Sequence, residues 1–203
     1  MKITKVEMHS EQKLIDRLRK VTLLNNHDFY IYQDALMSLE KISTDFLSPA
    51  QYYVLDSALE RVVQLKWELL KNGVNIYELN GYVTLHFEDH MQCIDLLPPV
   101  VEESIENNGS VVNLINDGMH RLFMARLDMV VPQVVFIRGV PKQYPYYAYP
   151  APNGWQDAVL VEKVPKNLLK KWHRIESYRD LYRNFNSAFQ NVGRPRPVGA
   201  KGS

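Results

Sequence analysis

Asp117, Gly118, His120 and Arg121 fall within one short stretch, V-V-N-L-I-N-D-G-M-H-R-L-F-M-A-R, residues 111–126. A titratable imidazole and a permanent guanidinium beside a glycine suit an anion, above all a phosphate. The elements that must hold them can be read from the same stretch. Val111, Val112, Leu114 and Ile115 predict a short buried strand, Asn116-Asp117-Gly118 interrupts it, and Leu122, Phe123 and Leu127 resume at helical spacing. In a strand–turn–helix of this kind Asn116 or Asp117 caps the helix and Gly118 lets backbone approach a ligand. The first-turn N–H groups, Met119 to Arg121, then point outward with the positive end of the helix dipole behind them. A plain capped helix whose His and Arg face water fits as well, and local chemistry leaves the two readings level.

Further candidate groups flank this turn. Pro98-Pro99 predicts the start of a short helix in which Val100, Val101, Ser104 and Ile105 alternate with Glu102, Glu103 and Glu106. One of those carboxylates could act as general base if partial burial raised its pKa opposite a substrate hydroxyl, and Asp95 is a lesser candidate. Downstream, residues 139–155 form a Pro- and Tyr-rich segment, read either as a lid over the site or as a rigid cover of the core. Its rings, Tyr147 among them, offer flat surfaces to a base or small substrate, Lys142 could reach a phosphate, and Asn153-Gly154 presents Trp155 and Asp157 on a turn. His86, Glu88, Asp89 and His90 lie close together but read as a strand leaving into a loop, which separates the histidines and disfavours a metal site.

D-G-M-H-R, set between an apolar strand and a helix and followed by a second apolar strand from Val134 to Ile137, resembles the phosphate-binding motif of the ParB/sulfiredoxin-like fold. The approach to it is similar too: Ile94-Asp95-Leu96-Leu97-Pro98-Pro99, the helix carrying Glu102 and Glu103, then Asn107-Asn108-Gly109. The resemblance spans roughly 94–139. Sulfiredoxins place a reactive cysteine where this chain has Met119, so their chemistry is not implied. Partition proteins of the superfamily usually carry Arg-Arg where His120-Arg121 stands, which brings the motif closer to the free serine kinase-like branch. That resemblance implies Asn116 to Arg121 around the phosphates of ATP or ADP, with CTP also open. It also implies Mg²⁺ bridging the phosphates and Asp117, and catalytic roles for Asp117, His120 and either Glu102 or Glu103 as base, with Glu102 slightly preferred.

The rest of the chain must build the platform. Leu14, Ile15, Leu18, Val21 and Leu24 predict an amphipathic helix, and Ala35, Leu36, Leu39 and Ile42 a second. A third runs from Ser48 as cap and Pro49 to Asn72-Gly73. The period then changes: Val74–Leu79 and Tyr82–Phe87 alternate around Asn80-Gly81 and predict a β-hairpin. Val159 to Val161 predict one more strand. Leu168, Leu169 and Trp172, then Tyr178, Leu181, Tyr182, Phe185 and Phe189, predict a C-terminal helix, and 191–203 a flexible tail. The expected architecture is α+β: a helical section over 1–73, and a small mixed sheet with helices over 74–190 ending in the C-terminal helix.

Bulk properties narrow the function. At 203 residues the chain suffices for one substantial core, and 24 Lys and Arg against 23 Asp and Glu give no global field toward nucleic acid or anionic membrane. Cys93, the lone cysteine, excludes an intrachain disulfide and a cysteine-only metal site. The N-terminus has no apolar signal core and no apolar run is long enough for a membrane span, so the expected location is the cytoplasm. The leading expectation is an ATP/ADP-dependent phosphotransferase or hydrolase acting on a small hydroxyl-bearing molecule. The alternative is a non-catalytic, nucleotide-gated module that engages DNA, a protein or a second copy through its N-terminal helices.

Overall fold

The computed structural model describes residues 2–88, 93–106, 108–165 and 178–192. Along them run β1 (Ile3–Ser10), α1 (Glu11–Leu18), β2 (Thr22–Leu23), β3 (Asn26–Tyr30), β4 (Leu36–Lys41), β5 (Tyr53–Leu55) and α2 (Asp56–Lys71). There follow β6 (Gly81–Phe87), β7 (Ile94–Leu96), β8 (Val100–Ile105), β9 (Val111–Asp117), α3 (Met119–Leu127), β10 (Gln133–Arg138), β11 (Val159–Val161) and β12 (Arg183–Asn184). The fold is α+β, with three helices among the described residues set around several small sheets.

Two sheets matter for the site. One has the order β4-β10-β8-β9, with β10 parallel to β8 and the other pairs antiparallel. The other, β1-β6-β7, is antiparallel throughout. Smaller sheets join β11 to β5 and β12 to β2 and β3. Leu14 and Leu18 of α1 pack with Tyr82, Val100, Val135 and Ile137 in one core, while Leu59, Val62 and Leu69 of α2 pack with Val83, Leu85 and Ala125 in a second. Truncating such a fully buried leucine costs about 2–5 kcal/mol.

The expected helical section over 1–73 contains α1 and α2, but also β1 to β5. Ser10 caps α1, its Oγ accepting from the Lys13 N–H at 3.3 Å. Leu36 and Leu39, spaced for a helix, instead lie in β4, because the edge of β10 offers a full ladder of backbone partners from Leu36↔Arg138 to Lys41↔Gln133. Ser48 does not cap the third helix. Its N–H donates to the Asn113 carbonyl at 2.8 Å and its carbonyl accepts from Ile115 N–H at 2.9 Å, so the helix starts only at Asp56. It ends at Asn72-Gly73 as the sequence indicates, with Gly73 at φ +74°.

The hairpin around Asn80-Gly81 is replaced by a different pairing. Residues 74–79 form no strand, since Val74, Ile76, Tyr77 and Leu79 are all buried and wrap over the second core rather than alternating. β6 pairs with β1 and β7 instead. Gly81 is required there because a Cβ would stand 1.9 Å from the His9 carbonyl oxygen of β1.

The segment after Pro98-Pro99 is strand β8, not a helix. Its β-branched start lies between two partners, β10 and β9, and buries Val100, Val101, Glu102 and Ser104. Leu168, Leu169 and Trp172 of the expected C-terminal helix, and the tail from Gly193, lie outside the described residues. Over 178–192 the chain makes two 3₁₀ turns and β12 rather than a helix. Phe185 and Phe189 still enter the first core.

Candidate functional site

The strand–turn–helix read from the sequence is present. β9 ends at Asp117, Gly118 adopts φ +86°, and α3 begins at Met119 with no side chain capping it. Only glycine fits at the turn: a Cβ on Gly118 would lie 2.8 Å from the Pro99 Cβ and 3.0 Å from Arg121 Nη2. The Leu122 N–H donates to the Gly118 carbonyl at 2.9 Å, leaving the preceding first-turn N–H groups outside the helical ladder. Beside them opens a cavity of about 470 Å³. Asn116 to Arg121 form one wall. Ala58, Arg61, Val62 and Leu65 of α2 form another, Leu85, Phe87, Ile94 and Leu96 of β6 and β7 a third, and Gln51, Tyr147 and Tyr182 close the rim.

The motif's polar side chains are not equally free. Arg121 is buried and donates to the Leu97 carbonyl and, at 2.9 Å, to Asp117 Oδ2. It ties α3 to the Leu97-Pro98-Pro99 bend as a strut, where a water-facing phosphate donor was expected. Asn116 Nδ2 donates to Tyr32 Oη at 2.7 Å and Glu102 Oε2 at 3.3 Å. His120 accepts the Leu55 N–H on Nε2 at 3.3 Å, which places the proton of the neutral ring on Nδ1. Burial lowers its pKa below the ordinary histidine value, the nearby Arg61 charge lowers it further, and Asp117 opposes both.

Glu102 lies on the far side of Asn116, in a closed network. Its side chain is 2% exposed and meets Arg183, whose side chain is fully buried. Arg183 Nε donates to Oε2 at 3.1 Å, and Nη2 donates to Oε1 and to the Tyr144 carbonyl. Nη1 donates to the carbonyls of Pro145 (3.0 Å) and Leu181 (2.6 Å), so all five guanidinium N–H groups are used. Tyr32 Oη also donates to Glu102, at 2.9 Å, and burial together with the carboxylate holds that phenol well above its usual pKa. Glu103, the next residue on β8, projects to the other side, where its charge acts on Arg138. Neither glutamate lines the cavity. Asp95 is likewise committed, to Arg17 at 3.0 Å and Thr84 at 2.6 Å.

The Tyr-rich segment packs as a cover. Tyr146 and Tyr147 are buried, Tyr146 Oη donates to the Asn116 carbonyl at 3.3 Å, and Tyr147 packs against Tyr146 and Tyr182 in tilted ring contacts with centroids 4.4 and 5.1 Å apart. Of the four expected substrate residues, Tyr147 reaches the cavity. Lys142 sits on the outer side of β8 near Glu103. Trp155 donates its indole N–H to the Thr44 carbonyl at 2.7 Å and packs on Phe123, and Asp157 accepts the Asn153 N–H at 2.9 Å to close its own turn. His86 pairs with Glu7 at 3.1 Å, while Asp89 and His90 lie outside the described residues.

Arg61 was missed by sequence reasoning. Ala58, Arg61, Val62 and Leu65 follow i, i+3, i+4, i+7 spacing, so one face of α2 meets the cavity and carries a single charge within an otherwise apolar stripe. That interruption was the available signal. Tyr182 and Gln51 gave none, since only the tertiary fold brings them to the rim.

The strand–Gly–helix turn of this α+β fold thus opens on a cavity whose walls carry His120 and Arg61 beside apolar side chains. The family model of the ParB CE domain matches residues 13–159. The chain belongs to that family. No curated protein and no solved structure matches the chain. No helix among the described residues is long and apolar enough to cross a membrane.

Proposed function

We propose that this ParB CE chain binds a nucleotide, its phosphates at the first turn of α3 and its uncharged part along the apolar wall of α2, β6 and β7. The observation that carries the reading is the junction in one cavity of the uncapped α3 turn, His120 and Arg61 with the side chains of Leu65, Leu85, Phe87, Ile94 and Leu96. A nucleotide has that division into polyanion and flat, weakly polar ring. The Nδ1–H that the neutral His120 ring carries is a donor suited to a phosphate oxygen. Asp117 has Oδ2 on Arg121 and can offer Oδ1 to Mg²⁺, which takes few protein ligands when it rides on phosphates. ATP, ADP and CTP all satisfy this chemistry.

Phosphate transfer to a small hydroxyl-bearing molecule remains the activity to test, with the base reassigned. Glu102 is locked to Arg183 and Glu103 faces away, so Asp117 Oδ1 is the carboxylate oxygen left for the cavity, and in the phosphotransfer reading it takes the hydroxyl proton in place of holding Mg²⁺, which the phosphates then carry alone. The locked Glu102 also favours the second reading, a non-catalytic module whose nucleotide governs association with DNA, a protein or another copy.

Calorimetric titration with ATP, ADP and CTP in the presence of Mg²⁺, on the native protein and on His120→Ala, tests the binding. Saturable binding that His120→Ala weakens at least about tenfold is expected, as for loss of one charge-assisted hydrogen bond. Absence of binding to all three overturns the nucleotide reading. Nucleotide consumption that Asp117→Asn removes while binding persists would establish the enzyme; binding without consumption would leave the gated module.

A further inference from the structure

The charges around the cavity do not add up to a polyanion site from the D-G-M-H-R motif alone. Asp117 and Arg121 cancel each other across their 2.9 Å ion pair, and both guanidinium nitrogens that Arg121 uses are occupied by protein acceptors. Burial and the Arg61 charge disfavour the charged form of His120, and Asn116 is turned toward Tyr32 and Glu102. A helix terminus supplies only about half a positive charge. Arg61 is different. It lines the same cavity from α2, is exposed, and has no ion-pair partner among the described residues. Elsewhere on α2, Lys66 is bound to Asp128 and Lys71 to Glu68.

We propose that Arg61, outside the motif, is the cation that engages the ligand's phosphates, so that the ligand bridges α2 and α3. This inference rests on the anionic-ligand reading above and specifies where its positive charge comes from. The placement suits the task. The Leu55 N–H, at the N-cap of α2, already bonds His120 on the first turn of α3, which fixes the two helices about the cavity mouth. Arg61 stands less than two turns further along α2, near enough for its charge to act on His120. A guanidinium in that position can take two phosphate oxygens at once from the side opposite α3.

The test is calorimetric titration of Mg²⁺–ATP, and of inorganic pyrophosphate as a probe without a base, into the native protein, Arg61→Ala, Arg61→Lys and Lys71→Ala. Arg61→Ala is expected to weaken both ligands about ten- to a hundredfold, Arg61→Lys to recover part of the loss, and Lys71→Ala, which removes the same charge from the same helix away from the cavity, to bind within about twofold of native. Native binding that Arg61→Ala leaves unchanged, or that Lys71→Ala weakens equally, overturns the assignment of Arg61 while the nucleotide reading stands. A native protein that binds neither probe overturns both. Melting curves of the exposed-site variants, expected to overlay the native one, separate loss of binding from loss of fold.

Discussion

Two charged regions meet at Asn116 and behave in opposite ways. On one side, Glu102 and Arg183 are buried with every guanidinium N–H donated and both carboxylate oxygens accepting. On the other, first-turn backbone donors of α3 and the guanidinium of Arg61 face a cavity of about 470 Å³. A carboxylate and an arginine occur in both neighbourhoods, Glu102 with Arg183 in one and Asp117 with Arg61 in the other, so charge type does not separate them; saturation does. A buried charge whose partners are complete holds segments together, here the 139–155 cover and the strand β12 against the central strand β8. A charge at an open cavity with partners still to find is available to a ligand.

The largest effect that could break this contrast is expected at the saturated side. Arg183→Met leaves the Glu102 carboxylate buried without its counter-ion and should cost about 3–5 kcal/mol, read by urea denaturation. Retained stability would mean that the network is not a strut. Gly118→Ala comes next. Positive φ and the 2.8 Å approach to Pro99 predict a loss of about 1–3 kcal/mol together with weakened ligand binding, as the first turn of α3 shifts. A fully native melting curve would show that the turn tolerates a side chain.

The smallest effect concerns pH. The folded pKa of His120 lies below its unfolded value near 6.5, so the unfolded chain binds more protons between the two, and stability falls as pH drops from about 6.5 through the folded pKa. His9, lowered chiefly by burial, acts in the same direction. Replacing His120 by Asn, which keeps an acceptor for the Leu55 N–H but does not titrate, should flatten part of the decline in Tm between pH 7 and 5. An unaltered slope would place the linkage elsewhere.

Local signals served well where one segment decides its own conformation. β9, the Gly118 turn, α3, β10 and the end of α2 at Asn72-Gly73 were legible because apolar period and glycine position act within a few residues. Segments whose partners are remote in sequence were misread. Leu36–Lys41 carries helical spacing but meets β10 about a hundred residues later. Residues 100–105 follow a helix-starting proline pair but lie between two strands. Residues 74–79 alternate like a strand but bury both faces. In each case long-range backbone pairing or burial outweighed a local preference worth a fraction of a kcal/mol per residue.

The same division runs through the site. Sequence by itself determined the strand–glycine–helix turn, since D-G-M-H-R between an apolar strand and a helix specifies a glycine turn and a helix start within one short stretch. It also determined the absence of any net charge that would draw the chain to a polyanion at long range. Tertiary structure alone decided which charges remain free. Glu102 was withdrawn by Arg183, 81 residues away, Arg121 by the Leu97 carbonyl, and Arg61 was delivered to the cavity by the packing of α2 on α3. Whether a charge is a strut or a binding group depends on the partners that folding brings within 3 Å of it, and those partners are not its neighbours in the chain.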